Sequence, residues 1–424
     1  MNRYIFTALI AFVLIYWGPG LLAPNHFDTG HFIAFALAGC MYLAWKLGQR
    51  EKWLGWTYAA LILGTGVNLF TNRTVLIKGV RNGALLVDFT LAPLLGLFAV
   101  GAAVCILLWA SGLGPSSLSR GQSHHGPVRA RGLCRVIVYI AAMSGLMSVL
   151  QWLGIRWPDI YGVDPVVAVG GPVGLWGNPG LNGITLALTL PLALWSLPWA
   201  VPPILAGLAL SNSVIAFIAA CVAVAYYLSW WKTFAAALVL VVALGLALEY
   251  HPKEKMSQRL RVWKATAWLY PRYPVGRFRG DKAIPISPVS ATFGWGLQMF
   301  KRRFPIWDYR KFHIGLIREK GGPDKDRIKT GKDVVAVGTA WDHPHNEFIS
   351  LLYEGGPVAI VPFLLFVGGF LRRLRGLKGE ARAMGACLIA GLVSALWSFP
   401  FYFAPSAAIL AVAAGRLTAG ENKA

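Results

Sequence analysis

The sequence is poor in charged residues, and acidic ones are the scarcest. Only 14% of its 424 residues are charged, whereas a soluble globular protein carries about 25%. Hydrophobic residues make up 56% of the chain, and the mean hydropathy is +0.55. This composition excludes a soluble enzyme built around one buried core and indicates a membrane protein.

Cysteine is scarce as well, and a cleavage signal is missing. The five cysteines are scattered without a Cys-x-x-Cys spacing, which argues against a zinc site and against a disulfide framework. The first residues, MNRYIFTALIAFVLIYWGPG, have the basic start and apolar run of a signal peptide but no small-x-small cleavage site. We therefore expect an uncleaved first membrane helix.

Apolar runs long enough to cross a bilayer recur from one end of the chain to the other. Lys and Arg collect in three short connections, 46–52, 119–135 and 372–382, which the positive-inside rule places in the cytoplasm. An even number of spans then puts both termini in the cytoplasm. We expect an all-α polytopic membrane protein with about twelve transmembrane helices, near residues 4–22, 30–46, 54–70, 84–110, 135–153, 181–197, 200–211, 214–230, 233–250, 356–371, 383–399 and 403–417.

One connection, residues 251–345, is much longer than the others and carries 20 Lys and Arg against 8 Asp and Glu. Long loops cross the membrane regardless of charge, so we expect this basic loop domain outside, between about nine helices in 1–250 and about three in 346–424. Its charge suits lipid phosphate, diphosphate or acidic glycan rather than nucleic acid. A merely solvated basic face is the alternative.

The densest polar cluster lies in AWDHPHNEF (340–348), just before a predicted span. Pro344 favours extended backbone, which would let His343 and His345 point into one cavity. Asn346 is a suitable N-cap, so His345 is expected at the positive end of a helix. That field keeps the imidazole neutral, which is the state a general base requires.

Three hypotheses fit this cluster. We favour histidines that catalyse or contact substrate; a metal site with Asp342 and a purely structural cap are the alternatives. Farther along, Gly355-Gly356-Pro357 is expected to break the helix. Glu354, at this break, either bonds His345 and fixes its tautomer or caps backbone groups.

Four segments of the chain follow one another in an order and spacing typical of one family. They are HPHNEFISLLYEGGPVAIVPF (343–363), GLWGNPGLNGITLALTLPLAL (174–194), RLRVW (259–263) and Gly294-Trp295-Gly296. They resemble, respectively, the His-Asn…Glu-x-Gly segment, the Asn-Pro helix start, the Arg-x-x-x-Trp signature and the Gly-x-Gly turn of the O-antigen ligase and Wzy-type polymerase superfamily. The predicted layout, with one large outer loop before the histidine motif, is also similar.

The resemblance implies a GT-C-like, metal-independent inverting glycosyltransferase without a cofactor, in the bacterial inner membrane. Its donor would be a glycan on undecaprenyl diphosphate. Its acceptor would be a hydroxyl of lipid A-core, of a growing glycan or of a protein, on the periplasmic side. We favour an O-antigen ligase, with a polymerase or protein O-oligosaccharyltransferase as alternatives. A polytopic transporter of an anionic lipid or glycan is the alternative from another class.

The resemblance implies a separate role for each site residue. His345 would accept the proton of the acceptor hydroxyl, while His343 or Asn346 would orient His345 or the acceptor. Asn178 and Asn182 would shape a helix start near the site and contact acceptor or glycan, with simple turn residues as the alternative. Trp263 either stacks on a sugar or anchors in the membrane interface, and we favour the anchor.

The diphosphate requires cations, and the family arginine of a Ser-Arg-Gly motif is missing. The matching stretch here is LSNSVIAF (210–217), with Val214 in the place of the arginine. Arg259 and Arg261, on a predicted amphipathic helix at 259–270, are the preferred bidentate ligands, and Arg156 is a third candidate. For Arg259 and Arg261, the alternative role is snorkelling towards lipid headgroups. For all three arginines, the alternative is that the donor differs from the diphosphate of the family.

Overall fold

A computed structural model describes residues 40–79, 83–112, 126–155, 171–228, 256–269, 272–274, 283–285, 288–294, 345–401 and 403–421. Within these residues the regular structure is helical except for one ribbon, in which β1 (Arg272–Pro274) pairs antiparallel with β2 (Ala283–Pro285). The expected all-α fold is confirmed for this part of the chain.

Residues 40–48 are helical, and a short 3₁₀ turn covers Pro198–Ala200. The remaining described helices are α1 (Lys52–Gly79), α2 (Gly83–Gly112), α3 (Gly126–Trp152), α4 (Pro179–Ser196), α5 (Val201–Leu210), α6 (Val214–Tyr227), α7 (Met256–Leu269), α8 (Pro288–Phe293), α9 (Glu347–Arg373), α10 (Gly379–Ala395) and α11 (Ala404–Glu421).

Each predicted apolar segment that the structure describes overlaps one of these helices. Helix α1 extends nine residues beyond the end predicted for it, and α3 and α9 each begin nine residues before the predicted start. Segments 4–22 and 233–250, and most of 30–46, lie outside the described residues. By length and hydropathy, two described stretches qualify as membrane spans, Gly132–Trp152 and Glu347–Arg373. Membrane helices are thus supported, whereas the full number of about twelve spans stays a prediction.

The chain divides into two compact units that each draw on separate segments. Unit 1 comprises Met1–Lys52, Ala99–Ala243 and Val367–Ala424, and unit 2 comprises Trp53–Phe98 and Leu244–Phe366. The sequence-based boundaries after residues 250 and 345 are not tested by this division and stay a prediction.

Helix α4 is the centre of unit 1, where it packs against α3, α5, α6, α10 and α11. Every residue from Asn182 to Ala193 is buried, as expected of a helix surrounded by others on all sides. Its buried threonines return their hydroxyls to the helix itself, since Thr185 Oγ1 donates to the Leu181 carbonyl at 2.9 Å. The central helix therefore has no need of outside polar partners for these side chains.

One end of unit 1 joins two of the basic connections. The Arg373 guanidinium donates to the Glu51 carboxylate at 3.0 Å, which links connection 372–382 to connection 46–52. The Tyr226 hydroxyl donates to the Leu374 carbonyl at 2.8 Å, and the Tyr226 carbonyl accepts two bonds from Arg382 at 2.9 and 3.1 Å. Two connections expected on the same side of a membrane are therefore in contact.

A second ion pair lies beside these contacts. Arg416 of α11 donates to the carboxylate of Glu380, near the start of α10, at 2.8 and 3.0 Å. We call the described residues 42–52, 372–382 and 416, together with Tyr226, the basic end of unit 1.

Candidate functional site

The predicted N-cap of the histidine motif is confirmed. Asn346 accepts a hydrogen bond from the Ile349 amide at its side-chain oxygen, at 3.0 Å. Its carbonyl accepts the first helical bond, from the Ser350 amide, at 2.9 Å. The cap satisfies one of the amides that a helix start leaves without an intrahelical partner, and it fixes where α9 begins.

His345 lies directly before this cap, with its side chain partly exposed. Its φ is 52°, so the residue is left-handed, and the expectation that the backbone runs extended through His345 is wrong. Proline restricts the residue before it and not the one after it, and histidine is among the few side chains enriched in the left-handed region. His343 and Pro344 lie outside the described residues, so the pairing of the two histidines stays a prediction.

The first turns of α9 bury two carboxylates. Glu347, Ser350 and Glu354 lie three, four and seven residues apart, on one face of the helix, and all are buried, with Glu354 only 1% exposed. Acidic side chains are almost never buried this deeply unless they are paired, and both glutamates make further contacts within the protein. Glu354 lies at the helix break, as predicted.

The break itself is confirmed and has a backbone cause. Gly356 adopts φ 67° and ψ −175°, a conformation open essentially only to glycine, inside α9 and directly before Pro357. Gly294, with φ 72°, packs its backbone against this point. A Cβ atom on Gly294 would lie 2.6 Å from the Gly356 nitrogen and 2.7 Å from the Glu354 oxygen, so a side chain is excluded there.

The predicted helix 259–270 is present as α7, and its arginine faces inwards. Arg259 is only 8% exposed and shares its face with the buried Val262 and Thr266, whereas Leu260 and Lys264 are exposed. Burial of the guanidinium counts against snorkelling as its role, since a snorkelling arginine keeps its charged group in water. It makes contacts within the protein.

The other residues on this helix are less informative. Trp263 is half-buried, one turn from Arg259 on the same face, as expected. The Arg261 side chain and all of Arg156 lie outside the described residues, so their part in a diphosphate clamp stays a prediction.

The two predicted asparagines lie in unit 1. Asn178 caps α4 by accepting the Leu181 amide at 3.1 Å, and it is exposed. Asn182 is 0% exposed; its amide donates to Ser148 Oγ and its oxygen accepts from Ser144 Oγ, both at 2.9 Å. With its oxygen and its nitrogen both bonded inside the unit, the buried Asn182 shapes the helix start, and its contact with a glycan stays a prediction.

Sequence reasoning missed the residue that completes this polar network. The Gln151 oxygen accepts the Val173 and Gly174 amides at 2.9 Å, and its nitrogen donates to the Gly174 carbonyl at 3.0 Å. The side chain thereby clamps the segment that leads into α4. Its signal in the sequence was the spacing of Ser144, Ser148 and Gln151, which repeats every three to four residues along the otherwise apolar α3.

The stretch that lacks the family arginine forms a helix start as well. Ser213 caps α6 by accepting the Ala216 amide at 3.4 Å, and Val214 is the first residue of that helix. No group of three or more His, Cys, Asp or Glu side chains suited to a metal ion occurs among the described residues. The alternative that includes Asp342 and His343 falls outside them.

The arrangement at the start of α9 can support proton transfer. A partly exposed imidazole lies just outside a helix N-terminus, and buried carboxylates lie two and nine residues after it. The helix end is positive, so it stabilises negative charge that approaches it. Comparisons of this chain with protein-family models, with curated proteins and with solved structures find no match.

Proposed function

We propose that the protein is an O-antigen ligase-like glycosyltransferase that moves a glycan from undecaprenyl diphosphate to an acceptor hydroxyl. The observation that carries the proposal is the packing of two distant motifs of the resemblance against each other. The backbone of Gly294, from the Gly-x-Gly turn, touches Glu354 and Gly356, from the histidine segment. Segments that only resembled a family by their order would have no reason to meet at one helix break.

The chemistry is a single displacement with His345 as general base. The acceptor oxygen attacks the anomeric carbon, its proton passes to the imidazole, and the bond from that carbon to the diphosphate oxygen breaks. Undecaprenyl diphosphate leaves with the electron pair, and inversion results. Arg259, with Arg261 and Arg156 as further candidates, would stabilise the charge that develops on the diphosphate.

In this scheme Asn346 and Glu354 are positioning residues. The Asn346 oxygen is committed to the cap of α9, so it would orient His345 by holding the backbone on which the imidazole stands. Glu354 is buried eight residues farther along, where it would either fix the imidazole tautomer or hold the broken helix.

The location of the site suits a lipid-linked donor. Helix α9 has the length and hydropathy of a membrane span and begins at Glu347, so a membrane-spanning α9 would place His345 where polar and apolar surroundings meet. A polyprenyl tail could then lie along the helices while the diphosphate stays in the polar layer. The contact between connections 46–52 and 372–382 favours the proposed orientation, with cytoplasmic termini and a periplasmic site in the bacterial inner membrane.

The test replaces His345 by asparagine and by glycine in the purified full-length protein. Both residues accept the left-handed backbone, so neither variant strains the helix start. We expect transfer of lipid-linked glycan to fall by about 10²–10⁴-fold in both, because the proton acceptor is gone. Added imidazole should restore part of the activity of the glycine variant. Wild-type transfer rates in both variants would overturn the assignment of His345 as base.

Three acceptors, tested in parallel with the wild-type protein, separate the possible reactions. Transfer to lipid A-core would support a ligase. Extension of a lipid-linked glycan would support a polymerase, and transfer to a protein hydroxyl would support an O-oligosaccharyltransferase. If no acceptor receives glycan from the undecaprenyl diphosphate donor, the proposed function is wrong.

A further inference from the structure

The basic end of unit 1 concentrates exposed cations in a short connection. Arg372, Arg375 and Lys378 are all exposed between α9 and α10. Two left-handed glycines, Gly376 with φ 85° and Gly379 with φ 52°, turn this connection tightly, so that the three cations stay close to the ends of the two helices.

The acidic groups described at this end are already neutralised by other arginines. Glu51 pairs with Arg373 and Glu380 pairs with Arg416. Arg50 is exposed in the connection that Glu51 brings to this end. Four exposed cations make no ion pair with any residue in the described ranges: Arg50, Arg372, Arg375 and Lys378. Their positive charge is therefore not compensated within those ranges.

A membrane-spanning α9 would place this surface at the depth of lipid headgroups. The helix has the length and hydropathy of a span and ends at Arg373, so the cations that follow would stand at the edge of the apolar layer. Tyr42 and Trp45 are both 57% exposed, and the Lys46 ammonium lies 4.6 Å from the Trp45 ring centre and 5.7 Å from that of Tyr42. Exposed aromatic rings with a cation beside them are typical of the membrane–water interface.

We propose that the basic end is a binding site for anionic phospholipid headgroups, formed by Arg50, Arg372, Arg375 and Lys378. A lipid phosphate accepts bidentate bonds from guanidinium groups, and the aromatic rings hold the surface at the level of the phosphates. A soluble acidic protein would gain the charge attraction but nothing from rings at the membrane interface. The proposal requires that α9 crosses the membrane and is independent of glycosyl transfer.

The experiment uses the full-length protein in nanodiscs of phosphatidylcholine mixed with phosphatidylglycerol. Native mass spectrometry counts the anionic lipids that remain bound after mild release from the disc. We expect the wild type to retain phosphatidylglycerol selectively. The triple variant Arg372→Gln, Arg375→Gln, Lys378→Gln should lose about fivefold in affinity for each charge removed. Higher salt should weaken retention by the wild type more than by the variant.

Two controls keep the result specific. Lys264→Gln removes an exposed cation from α7, in unit 2, and should leave retention unchanged. Arg372→Lys with Arg375→Lys keeps the charge and should bind more weakly than the wild type but better than the triple variant, because an ammonium cannot make bidentate bonds.

Three outcomes would overturn the proposal. The first is equal retention by the wild type and the folded triple variant, with the near-ultraviolet spectrum as the check of folding. The second is retention of phosphatidylcholine as strong as that of phosphatidylglycerol. The third is full competition by soluble glycerophosphate or an acidic peptide, since either would show a charge site without preference for a membrane lipid.

Discussion

Two helices of this protein begin at an asparagine cap, and their surroundings differ in one respect. Asn178 caps α4 and Asn346 caps α9, through bonds of 3.1 and 3.0 Å to amides three residues ahead. The polar side chains buried around the start of α4 are all neutral: Ser144, Ser148, Gln151 and Asn182. Around the start of α9 the ionisable Glu347 and Glu354 are buried, and the ionisable His345 is partly exposed.

The difference between the two helix starts distinguishes a structural network from a candidate site of chemistry. A neutral network whose donors and acceptors are paired holds the backbone in one conformation without exchanging protons. Ionisable groups at membrane depth are expensive to bury, and sites that carry them are by default candidates for function. The start of α4 is therefore best explained as a structural joint, whereas the start of α9 is where we propose that a proton moves.

The largest effect is expected at the break of α9. In Gly356→Ala, the new Cβ would collide with the Thr292 carbonyl oxygen and lie 2.6 Å from the Gly294 nitrogen. Backbone strain and overpacking together should cost about 3 kcal/mol or more of unfolding free energy. A denaturant titration in detergent that monitors the folded fraction measures this loss of unfolding free energy.

Gly368→Ala in the same helix is the matched control. Nothing lies within 4 Å of a Cβ at that position, so alanine should be neutral or stabilise by about 0.5–1 kcal/mol. Equal stability of the two variants would mean that Gly294 and Gly356 are not packed as described.

The next effect concerns the neutral joint. Gln151→Leu keeps the volume but leaves the Val173 and Gly174 amides and the Gly174 carbonyl without their buried partner. We expect a loss of about 2–3 kcal/mol in unfolding free energy. Gln49→Leu makes the same chemical change at an exposed position and should stay within about 0.5 kcal/mol of wild type. If the Gln151 variant is as stable as the Gln49 variant, Gln151 does not clamp the segment that leads into α4.

Sequence reasoning succeeded where one local rule decided the outcome. Long apolar runs predicted α3 and α9, asparagine before a glutamate predicted the cap at Asn346, and the Gly-Gly-Pro triplet predicted the break at Gly356. Each of these features depends on neighbours within a few residues, so no knowledge of the fold was needed.

It failed where distant segments meet. The contact between Gly294 and Gly356, and the clamp of Gln151 on Gly174, depend on which helices pack together, which no local pattern states. The inward face of Arg259 was missed for the same reason, because amphipathicity shows that a helix has two faces but not which one the unit covers. The left-handed φ of His345 was missed because the proline rule restricts only the residue before the proline.

A smaller effect compares the two caps directly. Asn346→Ala and Asn178→Ala each remove one side-chain cap and should each lower the unfolding free energy by about 1 kcal/mol. Their glycan transfer should differ, since only the first cap positions the proposed base. We expect kcat per folded molecule to fall about tenfold or more for Asn346→Ala. If Asn178→Ala instead raises KM for the glycan, Asn178 contacts the sugar as the sequence suggested.

The smallest effect on stability is expected at the ion pair of the basic end. The Arg373 side chain is 39% exposed and that of Glu51 is 6% exposed, so solvent weakens their attraction, and Glu51→Gln should cost about 0–1 kcal/mol. The same change removes the negative charge that offsets Arg373, so the net positive charge of the basic end rises by one. Retention of phosphatidylglycerol should therefore rise by up to about fivefold while stability barely changes. A fall in lipid retention would mean that the ion pair builds the site by holding the two connections together, rather than merely limiting its charge.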